Sequence, residues 1–144
     1  MAEIYGAELV TGIFGHWPSF HDAEVVRIVL ERTAKYEAGP LVLADVHTFE
    51  TTSDIDAKGF YVRRHHTLVS LRFDGVQDLE LNDFNNQNAL SEIAFNEIGS
   101  PAFPEPSYEI VFAGVHGVSA SFRCREVMVA GVQPWDVETG APAA

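Results

Sequence analysis

Along most of the chain, apolar residues recur at every second position. In TLVSLRF, Val69, Leu71 and Phe73 alternate with Ser70, Arg72 and Asp74; in DLELND, Leu79 and Leu81 alternate with Glu80 and Asn82. Tyr108, Ile110 and Phe112 share one face of YEIVF, and Val118, Ala120, Phe122 and Cys124 share one face of VSASFRC. Alternate side chains of a strand point to opposite faces, so these period-two runs predict half-buried strands. AEVVRIVLER and PLVLADVHTFE predict two more, separated by TAKYEAGP with its Gly39-Pro40 break. The first of them is apolar on both faces from Val25 to Leu30, which predicts a central or doubly covered strand. After Cys124 the apolar phase jumps to Val127 and Val129, predicting a bulge near Arg125-Glu126. AGVHG and FDGVQD predict hairpin loops, their glycines supplying positive φ.

Helix is scarce. Leu9, Val10, Ile13 and Phe14 form one apolar stripe near the N-terminus, weakened by Gly12. NALSEIAFNEI reads both ways: Leu90, Ala94 and Ile98 suit a helix, Ile93 and Phe95 a strand. The expected class is α+β, a single mostly antiparallel sheet of hairpin-linked strands with a short N-terminal helix packed on it. At 144 residues the chain predicts one domain over residues 1–138, followed by a flexible tail at 139–144.

Candidate chemistry concentrates in GHWPSFHDAEVV, residues 15–26. As a metal site, His16, His21, Asp22 and Glu24, with His47 from the next strand, offer the nitrogen and oxygen donors that zinc or iron takes. The spacing opposes it, because His21 and Asp22 are neighbours and point to opposite faces if extended. The structural reading makes the stretch a corner. Pro18 fixes φ and holds Trp17 extended, while Trp17 and Phe20 seal the sheet beneath. Ser19 and Asp22 then satisfy backbone groups freed by the turn, His21 bridges similarly, and Glu24 belongs to the same structural motif. RRHHT (63–67) reads as a solvated strand entrance, His47 as a hydrogen-bonded sheet residue and His116 as a turn residue. Cys124 lies on the apolar phase of its strand, as an inert buried thiol would. No phosphate loop or nucleophile elbow is present.

Charge alters this picture more than composition does. Twenty-one acids against nine Lys and Arg give a formal net charge of −12. From Phe73 to Phe122 there is no Lys or Arg, and eight acids: Asp74, Asp78, Glu80, Asp83, Glu92, Glu97, Glu105 and Glu109. Such a surface repels a phosphate backbone, which argues against nucleic acid as a partner, and would steer a basic protein. With 47% hydrophobic residues, no bilayer-length apolar run and no secretory leader, the chain predicts a cytoplasmic globular protein without membrane contact. One cysteine allows neither an internal disulfide nor a cysteine metal cluster.

WPSFHDAEV (17–25) resembles the bacterial immunity protein family numbered fifty, found beside polymorphic toxins. DFNNQN (83–88) is similar to that family's Phe-Asn-x-Gln-Asn element, and FRCREVMVAGVQP (122–134) to its closing strand, in the family's order. The resemblance implies an α+β protein that neutralises a co-encoded toxin by binding it, without catalysis or cofactor, and a strand rather than a helix for residues 90–98. Excess negative charge suits a decoy for the positive groove of a nuclease; deaminases and peptidases remain open as targets. The expected partner surface uses acids and aromatics of the cation-free stretch: Asp78, Asp83, Phe84, Asn85, Glu105, Tyr108 and Glu109. The alternative is a small metal-dependent hydrolase using His16, His21, Asp22, Glu24 and His47. A scaffold or small-ligand module is a third reading that no specific residue supports.

Overall fold

The computed structural model describes residues 3–33, 39–99 and 108–143. Among these residues the chain forms β1 (Ile4–Tyr5), α1 (Glu8–Phe14), β2 (Glu24–Glu31), β3 (Leu41–Ile55), β4 (Tyr61–Asp74), β5 (Gln77–Asn82), β6 (Ala89–Glu97), β7 (Tyr108–His116), β8 (Ser119–Cys124), β9 (Glu126–Asp136) and β10 (Ala141–Pro142). The strands form one open sheet in the order β1-β9-β4-β3-β2-β6-β7-β8-β5, with β10 beside β9. Residues 90–98, open between helix and strand, lie almost wholly in β6. The last residues, expected to fray, carry β10 along Asp136 and Trp135.

The architecture is α+β and mostly sheet, but the sheet is mixed rather than mostly antiparallel. β1 runs parallel to β9, Ile4 beside Val127 and Tyr5 beside Met128. Two residues carry no readable period, and a parallel partner needs no hairpin link, so sequence alone did not reveal this pairing. Gly6 (φ 76°) then lifts the chain off β9 into α1; a Cβ there would stand 2.7 Å from the Val129 carbonyl oxygen. Val10 and Phe14 of α1 are buried, and the helix packs on β9 and β4. It stops at Gly15, whose left-handed φ of 80° lets its N–H cap the Thr11 carbonyl.

The sheet has two halves. In one, β9, β4, β3 and β2 pair over long registers; in the other, β6, β7, β8 and β5 do. FDGVQD is therefore not a hairpin loop. Gly75 (φ 67°) turns the chain away from β4, and β5 pairs with β8 instead. AGVHG does close a hairpin between β7 and β8. The expected bulge at Arg125-Glu126 is a break between strands: Arg125 donates its N–H to the Asp74 carbonyl, and the chain switches from β7 to β4 as partner. At the end of β4, fully buried Phe73 meets Phe122 at 5.0 Å, Phe112 at 6.0 Å and Phe95 at 6.5 Å between ring centroids. The halves thus fold face to face, and burial of these rings is the main adhesive between them.

β3 and β4 outrun their neighbours. β2 follows β3 only to His47, and β9 follows β4 only to Thr67. Beyond those rows the hairpin continues as a two-stranded arm, with Ile55 paired to Tyr61.

Candidate functional site

The corner at residues 17–25 is the seam between the halves. β2 pairs with β6 in regular register at Glu24 and Ala89 alone. The rest of the junction is built by the chain before β2 and by Val25 at its start. Ile93 donates its N–H to the Ser19 carbonyl, Asp22 to Leu90, Leu90 to Ala23 and Val25 to Asn88. Phe20 and Asp22 both hold positive φ, 65° and 62°, so this run changes direction at alternate residues. That geometry buries Phe20 against Trp17 (5.6 Å) and Phe95 (6.4 Å), while Trp17 itself meets Phe95 at 5.5 Å. His21 stays exposed and donates from Nδ1 to the Ser91 carbonyl. His16, His21, Asp22, Glu24 and His47 do not converge: no three His, Cys, Asp or Glu among the described residues gather as a cation site.

Asn88 fastens the seam. Its Nδ2 donates to the carbonyls of Val25 (3.3 Å) and Asn85 (2.7 Å), and its Oδ1 accepts from the N–H groups of Asn85 (2.8 Å) and Val118 (3.1 Å). Its own N–H donates to Glu24 Oε1 at 3.2 Å. One buried side chain therefore ties together β2, the β5–β6 loop and the β7–β8 turn. Sequence reasoning quoted this residue without assigning it a role, because an asparagine in a loop has no periodicity to betray burial.

Beside the seam opens a cleft of about 400 Å³, lined by Glu24, His47, Phe84, Asn85, Asn86, Asn88 and Trp135 together with Val25, Val26 and Gly140. The His47 ring lies flat on Trp135, 4.6 Å between centroids at 15°, and its Nε2 shares a hydrogen bond of 3.0 Å with His66 Nδ1. Phe49 completes the cluster, with the Arg63 guanidinium 4.4 Å over its ring. RRHHT is thus a cross-strand network rather than a strand entrance: Arg64 and His65 both bind Glu50, and these partners hold the Glu50 carboxyl below its usual range.

The residues expected at a partner surface divide. Phe84 and Asn85 line the cleft, and exposed Asp83 precedes them with φ 59°. Asp78 and Glu109 lie apart from the cleft: Arg123, in register with Glu109, holds Asp78 through its guanidinium. Tyr108 is half-buried against the core, and burial raises its phenol pKa. Glu105 lies outside the described residues. Cys124 is buried and its thiol is pushed up to about 12, so it stays protonated and unreactive. His47, Glu24 and Trp135 are among the cleft residues outside the partner surface expected from the sequence. Trp135 stands one residue past the last recognised block.

Burial, then the charges of His66 and Arg63, lowers the His47 pKa to about 4. The unfolded chain titrates this group near 6.5. Above about pH 6.5 the ring is neutral in both states; between about 6.5 and 4 only the unfolded state takes up the proton. Stability should therefore fall on acidification through that window. The expected loss is about 1–2 kcal/mol once screening of a half-exposed ring is allowed for. Urea denaturation of wild type and His47→Phe at about pH 7.5 and 5 checks this; equal pH slopes would sink it.

The arrangement is a small sheet protein with a cleft of about 400 Å³ where its halves join and another of about 420 Å³ beside Leu30, Pro40 and Leu79. No curated protein and no solved structure matches the chain. The family Immunity protein 50 does match it, over residues 6–135 of 144. The chain belongs to that family. The match contains all three blocks noted in the sequence, and the first two of them meet at the seam, Glu24 and Val25 against Asn88.

Proposed function

We propose that this protein neutralises a co-encoded bacterial toxin domain in the cytoplasm by binding and occluding it, with no catalysis of its own. The observation that carries the reading is the cleft. It gathers Glu24, the Phe84–Asn88 loop and Trp135, from the family's matched span, into one concave surface with no Lys or Arg in its lining. A basic toxin surface, such as a nuclease groove, is the complement that a chain of net charge −12 would select. Exposed apolar groups at the arm tip, Ile55 (63%), Phe60 (67%) and Tyr61 (62%), add a surface of the kind protein partners cover.

The test is co-purification with the product of the adjacent toxin gene, followed by association kinetics. Glu80, Asp83, Glu92 and Glu109 are exposed and make no ion pair among the described residues, unlike Asp78. Replacing the four by their amides should slow association by roughly tenfold at low salt, with the gap closing as salt screens the field. Dissociation should change less, because charges outside the contact act mainly on the approach. An association rate indifferent to both salt and these substitutions would refute the steering. Failure to form any complex with the adjacent toxin domain would refute the immunity reading.

A further inference from the structure

We infer that the cleft beside the seam is a receptor for one arginine side chain of the toxin, held by Glu24 and walled by Trp135 and Phe84. The inference rests on the toxin-binding reading and specifies its chemistry.

Glu24 is half-buried, and its carboxylate is fixed rather than free. Oε1 accepts the Asn88 N–H, Oε2 has no partner among the described residues, and Glu24 lines the cleft. An anchored carboxylate in partial burial is an incomplete ion pair, and a guanidinium completes it with two parallel N–H donors. The walls suit the same group. Phe84 is 48% exposed, far more than a ring of the core would be, and Trp135 lines the same cleft with its ring stacked on His47. Guanidinium is planar and weakly hydrated, so it stacks on aromatic faces where an ammonium would keep its water. The exposed Asn85 and Asn86 also line the cleft, with Asn85 Oδ1 already accepting the Asn86 N–H. Lowered basicity keeps His47 neutral, so the ring adds no charge that would repel a cation. Arg63, outside the cleft lining, lies over the Phe49 ring.

The cleft can be tested without the toxin. Acetyl-arginine amide is titrated into the full chain while the indole N–H of Trp135, assigned with Trp135→Phe, is followed by NMR. Its isosteric neutral counterpart, acetyl-citrulline amide, is the comparison. The arginine probe should give a saturable shift at Trp135 and at the Asn85 and Asn86 amides, in the millimolar range expected for one side chain. The citrulline probe should bind at least about tenfold more weakly, for want of the charge. Glu24→Gln should remove that preference while keeping the fold, since the amide oxygen still accepts the Asn88 N–H. Equal binding of the two probes, no shift at Trp135, or an unchanged preference in Glu24→Gln overturns the arginine assignment. A toxin complex whose stability ignores Glu24→Gln overturns it too, and leaves toxin binding standing. Selective arginine binding without a toxin complex supports the cleft chemistry while removing the immunity reading.

Discussion

Replacing Asn88 with alanine is expected to destabilise the protein by about 3 kcal/mol, within a range of 2–5. The magnitude follows from where its partners lie. The bonds to the Val25 carbonyl and the Val118 N–H are buried, whereas the two to Asn85 are nearer solvent. Water can replace the latter pair, but truncation leaves the former without partners, at about 1–3 kcal/mol each. Set against a usual total stability of about 5–15 kcal/mol, this is a large fraction. Asn88→Asp should be little better: its carboxylate can accept from Asn85 and Val118 but cannot donate to the Val25 carbonyl, and it adds a charge near Glu24. His21→Ala is the contrasting variant. It removes a bond to Ser91 that water can reach, and should cost under about 1 kcal/mol. Urea denaturation of the three variants measures the ordering. Asn88→Ala within error of His21→Ala would show that the seam does not depend on this side chain.

Strand content was legible because it rests on local alternation. Val69, Leu71 and Phe73 are fully buried, while the intervening Ser70 and Arg72 are only half-buried, as the pattern requires. Where the chain goes after each strand was legible only in part: AGVHG closes the expected hairpin, but FDGVQD does not. FDGVQD has the composition of a hairpin loop, yet the direction in which Gly75 releases the chain depends on contacts far away, including Val76 donating to the Pro40 carbonyl. The 17–25 stretch reads in the sequence as a corner, and in the structure Ser19, His21 and Glu24 each make a side-chain hydrogen bond there. Its partner was hidden, because Ser91, Leu90 and Asn88 lie some seventy residues on, and no period links two segments that meet only once. The cleft was half legible for the same reason. Phe84 and Asn85 stood out as an aromatic and an amide in an acidic stretch, whereas Glu24, His47 and Trp135 join them only through tertiary pairing.

On the proposed reading, one seam serves both stability and recognition. The loop that presents Phe84 and Asn85 to the cleft is held by the side chain that joins the halves, and Glu24 touches that same loop. A loop on a rigid anchor loses little freedom on binding, which favours affinity for a small contact area. Weakening the anchor should then lower binding even where every cleft residue is intact.

Gly117→Ala tests that coupling from the opposite side. Gly117 holds φ 77° in the β7–β8 turn, and a Cβ there would overlap the Gln87 carbonyl oxygen and stand 2.6 Å from Asn88 Oδ1. The left-handed backbone costs an alanine about 1–2 kcal/mol, and displacing a packed backbone segment about 1–3 more. The expected total is about 2–5 kcal/mol, similar to the loss of Asn88 itself. The two effects should not add. With Asn88 truncated, the β5–β6 loop can move away from the intruding methyl group, so Gly117→Ala should cost at least about 1 kcal/mol less in Asn88→Ala than in wild type. A double-mutant cycle by urea denaturation measures that coupling, and the same variants titrated with the arginine probe report whether the cleft loosens in parallel. Strict additivity would mean that the turn and the loop are held independently, and that the seam is not a single mechanical unit.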